Sequence, residues 1–287
     1  MHSTNPMVKT MTTTITNRQV AQNRNVSLML VAVFGLTAVL LAFFASPQTT
    51  LAQSSDKNES PAFDHSVFQK ILEANVDADG WVDYTAIKAD VASLDTYLDG
   101  IKKADISALD SNEQLAFLIN SYNAFTLKLI VENYPLNSIN DIAANDRWDA
   151  VRWNLGGRIV SLNQLEHELI RPNFAEPRIH FALVCAAIGC PPLRQEVFTG
   201  KDLESQLADQ TTYVHNHGTW FAHNKSANSV QLTKLYSWYG DDFVKSSGSV
   251  LKFISENSTQ LEGVTNPSVS WLEYDWTLND TKKKTTR

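Results

Sequence analysis

The stretch 111–134 constrains the fold of this chain more than any other. Leu115, Phe117, Leu118, Ile119, Tyr122, Phe125, Leu129 and Ile130 recur at helical spacing and run nearly all the way round the helix. A helix without a polar face has to be covered by other elements, so this one is predicted to be central. Ser111 and Gln114 match a capping box, and Pro135 disfavours helical geometry in the residue before it, which sets the stop near Tyr134.

Shorter elements are expected around it. Phe68, Ile71 and Leu72 give a short helix, and Ile87, Val91, Leu94, Leu98 and Ile101 repeat as one amphipathic helix. Residues 158–162 read as a strand. Asn163 with Glu166 then caps a helix that Pro172 ends, placing Glu166, His167 and Arg171 together. The run 178–186 has no polar face, the pattern of a strand buried on both sides, and is expected to form the core of a sheet. A helix over 201–215, a hairpin from 219–222 and 229–235, a helix over 250–256 and a strand over 269–276 complete the reading. The fold class is α+β, with helices packed around a small, mainly antiparallel sheet in one domain, 63–280.

Ahead of that domain no charged residue occurs between Arg24 and Asp56, and 28–45 is almost unbroken Leu, Val, Ala and Phe. Lys9, Arg18 and Arg24 precede it without any acid, the bias of a segment whose flank stays in the cytoplasm. Residues 1–52 are therefore expected to be an export signal or an uncleaved membrane anchor, and 53–62 a flexible spacer. This implies a periplasmic or other extracytoplasmic protein that meets the membrane only through its N-terminal segment. All 31 acidic residues lie after position 52 against 21 of the 24 Lys and Arg, a formal charge of −10 that argues against a nucleic-acid partner. Lys282, Lys283, Lys284 and Arg287 form the one basic cluster, read as a solvated tail over 281–287. The domain is expected to be a monomer.

Four motifs carry a resemblance: LAFLINSYNA at 115–124, LEHELIR at 165–171, RIHFALVCAAIGCPPL at 178–193 and LYSWYGDDF at 235–243. With them the chain resembles the bacterial and plant family catalogued as domain of unknown function number 547, across nearly all of 63–280. Leu118 stands where relatives of this family usually carry Trp. The resemblance implies the domain boundary and points to these residues, and it brings no settled reaction.

Polar groups within the motifs sit where packing alone would not choose them. Asn120 and Asn123 lie three apart on the most apolar helix, so they are neighbours on one face, and a buried amide must find partners. They either tie the helix to a loop or, with Arg171, orient a substrate. Cys190 lies in a Gly-Cys-Pro-Pro turn able to present its thiol, and a thiolate beside an imidazole is a nucleophile with its own proton shuttle. Cys190 as nucleophile, His180 or His167 as base and Glu166 as orienting group make a coherent set. His167 is the better placed base, since ten residues of extended chain would separate His180 from Cys190. Two other readings of the cysteines stay open: a Cys185–Cys190 disulfide, or thiols serving packing.

Metal-like patterns are weaker, and neither metal nor cofactor is expected. Asn75, Asp77, Asp79, Gly80, Val82 and Asp83 fall at positions of a calcium-binding hand, but Ala86 stands where the bidentate carboxylate belongs. Two cysteines with unpaired histidines make a poor zinc set. His215, His217 and His223 fit a helix C-terminus better than a ligand set. Tyr236, Trp238, Tyr239 and Phe243 pack a core or line a groove for sugar or peptide. No phosphate-binding loop, dinucleotide fingerprint or Gly-x-Ser-x-Gly elbow is present. The expected activity is a thiol-dependent hydrolase or acyl transferase on amide or ester groups of a small molecule, peptide or glycan. The alternative is a non-catalytic envelope binding or assembly module with a structural disulfide.

Overall fold

The computed structural model describes residues 61–284. The expected signal or anchor, and the spacer up to residue 60, lie outside them. Among the described residues no helix is long and apolar enough to cross a membrane.

The chain folds as α+β, as expected from its pattern. Helices α1 (Ser66–Asn75), α2 (Tyr84–Ala89) and α3 (Val91–Lys103) come first. The single amphipathic helix expected over 87–101 is thus two, divided at Asp90, whose non-helical backbone ends α2 and starts α3. Helix α4 (Ser111–Asn133) is central, with residues buried along nearly its whole length. Its cap is Asp110 rather than Ser111: the Asp110 carboxylate accepts the Glu113 N–H at 3.0 Å, satisfying a donor that the first turn leaves open.

After α5 (Ala144–Arg147), strands β1 (Trp153–Leu155) and β2 (Arg158–Val160) pair as an antiparallel hairpin. Helix α6 (Leu162–Gln164) starts from a capping box of Ser161 and Gln164, not from Asn163 and Glu166. It runs on as a π-helical turn, Leu165–Ile170, closed by the Arg171 N–H on the Glu166 carbonyl at 2.9 Å.

Residues 178–186 are not a strand. Pro177–Phe181 is a 3-10 helix with Pro at its start, where the missing N–H costs nothing, and irregular turns follow. A short apolar run without a face reads the same for a strand and for a turn buried on all sides, so periodicity could not separate them. Burial on all sides was read correctly, for two apolar cores meet here. Ile179, Ala182, Leu183 and Val184 join the larger core around α4, while Phe181 joins a smaller one with Val214, Leu232, Tyr236, Phe243 and Phe253.

The smaller core is built from α7 (Leu203–Asn216), β3 (Phe221–Asn224), β4 (Ser229–Leu232), α8 (Leu235–Trp238), α9 (Gly240–Ser247) and α10 (Val250–Asn257). Strand β5 (Ser268–Trp271) closes the sheet β3-β4-β5, antiparallel to the first side and parallel between β4 and β5. From Leu272 the chain becomes a strap crossing back to the larger core. Ile188 N–H bonds the Thr277 carbonyl at 2.8 Å, Gly189 N–H bonds Asp275 at 2.8 Å, and Asn279 N–H bonds Ala186 at 3.2 Å. Gly189 permits this approach: a Cβ there would lie 2.8 Å from the Asp275 nitrogen.

The basic tail, as far as it is described, is exposed at Lys282 and Lys284 and is tied down by ion pairs. Lys284 bridges Asp77 at 2.6 Å and Asp79 at 3.0 Å, so an ammonium group sits on the carboxylates that resembled a calcium hand. Asp77 meanwhile accepts the N–H groups of Asp79 and Trp81, as a tight polar turn requires.

Candidate functional site

The seam between the two cores brings together three of the motifs. The π turn sets Glu166 inside and His167 at the surface, with Arg171 bound through Nη1 to His167 Nδ1 at 3.0 Å. Arg171 also grips Asp242 of α9 with two bonds, Nε to Oδ2 at 2.7 Å and Nη2 to Oδ1 at 3.1 Å. The same carboxylate oxygen is 2.8 Å from His180 Nε2, and the His180 ring stacks on Tyr239 at 3.8 Å between centroids. His167, Arg171, Asp242 and His180 thus form one chain of contacts.

Electrostatics fix the protonation in this chain. Burial works against the Asp242 carboxylate, but hydrogen bonds from His180 and Arg171 outweigh it and hold its pKa well below the carboxylate range. Burial keeps His180 below its ordinary value despite Asp242, which favours a neutral ring donating through Nε2. The proton on Nε2 is assigned from that bond. It leaves Nδ1 unprotonated, the form a general base needs. Buried Glu166 accepts from the Tyr122 hydroxyl at 3.4 Å, and the pKa of nearby Tyr239 is raised by burial and by the Glu166 carboxylate.

The two asparagines are structural. Asn123 donates to the Ala182 carbonyl and accepts the Val184 N–H, both at 3.0 Å, clamping the backbone that leads to Cys185. Asn120 does the same for Phe198, at 2.7 and 2.9 Å, and reaches His65 Nε2 at 3.3 Å. Their expected role in orienting substrate gives way to backbone pairing, because strandless buried segments have no ladder to satisfy their amides. Arg171 likewise spends its donors on Asp242 and His167.

The two cysteines differ in exposure and in surroundings. Cys190 is 4% exposed, and burial together with its neighbour Cys185 pushes its pKa well up. Cys185 is half-buried, and its neighbours Cys190, Tyr274, whose hydroxyl is 2.9 Å away, and Ala187 lower its pKa against burial and the nearby charge of Glu166. The next residue, Ala186, has φ of +60°, a left-handed backbone that a side chain adopts at a cost. The Gly-Cys-Pro-Pro turn thus buries the Cys190 thiol instead of presenting it as the sequence had led one to expect. Among the described residues no hydrogen bond joins His167 or His180 to either sulfur. Glu166 relates the groups, since its charge acts on Cys185, on His180 and on Arg171.

The DUF547 match follows these elements. Residues 106–213 match a family model described as protein of unknown function, DUF547. The resemblance carried by the motifs holds over that stretch. The DUF547 segment includes Glu166, His167, Arg171, His180 and both cysteines, whereas Tyr239, Asp242 and Tyr274 lie beyond it. Comparison with curated proteins and with solved structures finds no match.

Tyr274 and Cys185 are 89 residues apart, and nothing local in either stretch signals the contact. From its sequence Cys185 reads as a disulfide partner or a packing thiol, and no local signal sets it apart as the more exposed of the two. Tyr274 is partly buried in an aromatic group in which exposed Trp238 packs on it at 4.9 Å and partly buried Trp276 at 4.7 Å. Two cavities flank other parts of the fold. One of about 120 Å³ opens beside Arg171 and Asp242, lined also by Phe174, Pro177 and Lys245, and is too small for more than a few atoms. The other, about 380 Å³, is lined by Phe63, His65, Glu113 and Lys201 and contains none of the cluster. His215 is structural: it bonds the Thr211 carbonyl and the Tyr236 hydroxyl inside the smaller core.

Proposed function

We propose that the protein is a thiol-dependent hydrolase or acyl transferase on amide or ester groups, working outside the cytoplasm, with Cys185 as nucleophile. One observation carries the reading: the Tyr274 hydroxyl lies 2.9 Å from the sulfur of the half-buried Cys185, a contact that favours its thiolate, while the other thiol is sealed in the core. In acyl transfer the Cys185 thiolate adds to the carbonyl carbon and expels the amine or alcohol; water or a second nucleophile then breaks the thioester. His180, oriented by Asp242 through Nε2, and Glu166, beside the Tyr122 hydroxyl, are the groups available to move protons. Arg171 fixes Asp242 and so positions His180 rather than touching substrate.

Both cysteines are free thiols, which favours this reading over a binding module stapled by a bridge. The compartment rests on the charge-free apolar run near the N-terminus. The test is p-nitrophenyl acetate, a small ester that reports acylation directly. The expected result is a burst of one nitrophenolate per chain and a hydroxylamine-labile acetyl group on Cys185, absent in Cys185→Ala. A folded protein that forms no acetyl-Cys185 overturns the proposal.

A further inference from the structure

The second thiol is not used by that chemistry, yet it is held against the first. The Cys185 N–H donates to the Cys190 sulfur at 3.1 Å, the Cys190 thiol faces the Leu183 carbonyl at 3.8 Å, and the Cys190 N–H bonds the Ala187 carbonyl at 3.0 Å. Three strap bonds, from Ile188 to Thr277, Gly189 to Asp275 and Asn279 to Ala186, hold the intervening loop closed while both thiols are reduced. The arrangement is asymmetric: Cys185 is half-buried with its sulfur against the Tyr274 hydroxyl, whereas Cys190 is fully buried beside it.

We infer that Cys185 and Cys190 form a thiol–disulfide exchange couple for small-molecule disulfides, with Cys185 attacking and Cys190 resolving. This rests on Cys185 being the reactive thiol, as in the proposed function, and goes beyond it in giving Cys190 a chemical role. The Cys185 thiolate attacks one sulfur of an incoming disulfide, forming a mixed disulfide and expelling the first thiolate. Cys190 then loses its proton, which that thiolate takes up, and attacks the Cys185 sulfur. The second thiolate leaves and is protonated from solvent. The protein loses two electrons and becomes an intramolecular disulfide, and the small disulfide becomes two thiols. A half-buried attacking residue with a fully buried resolving thiol suits this order, since only the first needs to meet a substrate. The closed loop lowers what ring closure has to bring together. While the bridge is closed Cys185 has no free thiolate, so exchange also suspends acyl chemistry.

The experiment treats the reduced full-length chain with oxidised glutathione and reads intact mass and peptide maps. The expected outcome for the wild type is a Cys185–Cys190 disulfide with two glutathiones released per chain and no lasting adduct. Cys190→Ser and Cys190→Ala should both stop at one glutathione on Cys185, and Cys185→Ser should take up none. A wild type that keeps glutathione on Cys185, with ester acylation of that residue intact, overturns the exchange couple and leaves the proposed function standing. Failure of Cys185 to react with either reagent, in protein showing cooperative thermal unfolding, overturns both.

Discussion

The Tyr274 hydroxyl lies 2.9 Å from the Cys185 sulfur, so a residue of the C-terminal strap completes a thiol site whose other parts lie in the DUF547 segment. A hydroxyl at that distance donates to the thiolate more strongly than to the thiol, which favours the ionised form. Tyr274→Phe removes the donor and keeps the ring. The pH midpoint of Cys185 alkylation by iodoacetamide should then rise by about one to two units, the worth of one hydrogen bond to a charged group. An unchanged midpoint would show that Tyr274 only packs there.

The approach to Cys185 depends on the Asn123 side chain, which pairs the Ala182 carbonyl and the Val184 N–H. Asn123→Ala leaves both backbone groups buried without partners. A loss of about 2–4 kcal/mol is expected from urea unfolding, together with a broader range of Cys185 alkylation rates. Asn123→Asp restores only the acceptor and should recover part of the stability. Equal stability in Asn123→Ala would mean that the segment finds other partners.

These two residues show what could be read from sequence and what could not. The central helix, the α+β class and the hairpin at 221–232 follow from periodicity and turn residues, which act over a few positions. Asn120 and Asn123 stood out because amides in an apolar helix need partners, but the partners, Phe198 and Ala182, sit on segments without regular structure. The strand expected over 178–186 failed for the same reason: its burial was legible and its backbone pairing was not. Which cysteine meets solvent depends on the strap and on Tyr274, contacts made at long range that no local pattern encodes.

Arg171 and Asp242 join the DUF547 segment to α9 through a bidentate pair, each side chain about a quarter exposed: 27% and 28%. Asp242→Asn removes the countercharge from Arg171 and the acceptor that orients His180. The account predicts a loss of about 2 kcal/mol in unfolding free energy, discounted from the fully buried case for this exposure. Arg171→Met in the Asp242→Asn background should return part of it, since the orphaned guanidinium is then gone. Additive losses in the double variant would contradict the pairing.

His65 and His215 give the fold an acid limit. Burial lowers the pKa of each from 6.5 to about 4, so the unfolded chain binds protons that the folded one refuses. Their contribution is complete above about pH 6.5 and is lost as pH falls toward about 4, by roughly 3 kcal/mol for each. The urea midpoint should fall steadily between those limits, and His215→Gln should flatten the slope. A midpoint independent of pH in that window would show that neither imidazole titrates on unfolding.

The assignment of the nucleophile is tested most directly by which sulfur reacts in the native protein. Limited iodoacetamide at neutral pH, followed by denaturation, a second mass-distinct alkylating label and peptide mass spectrometry, reads both thiols in one sample. The account predicts that the first label falls on Cys185 and that Cys190 takes only the second, after unfolding. First label on Cys190, or on neither cysteine, would contradict it.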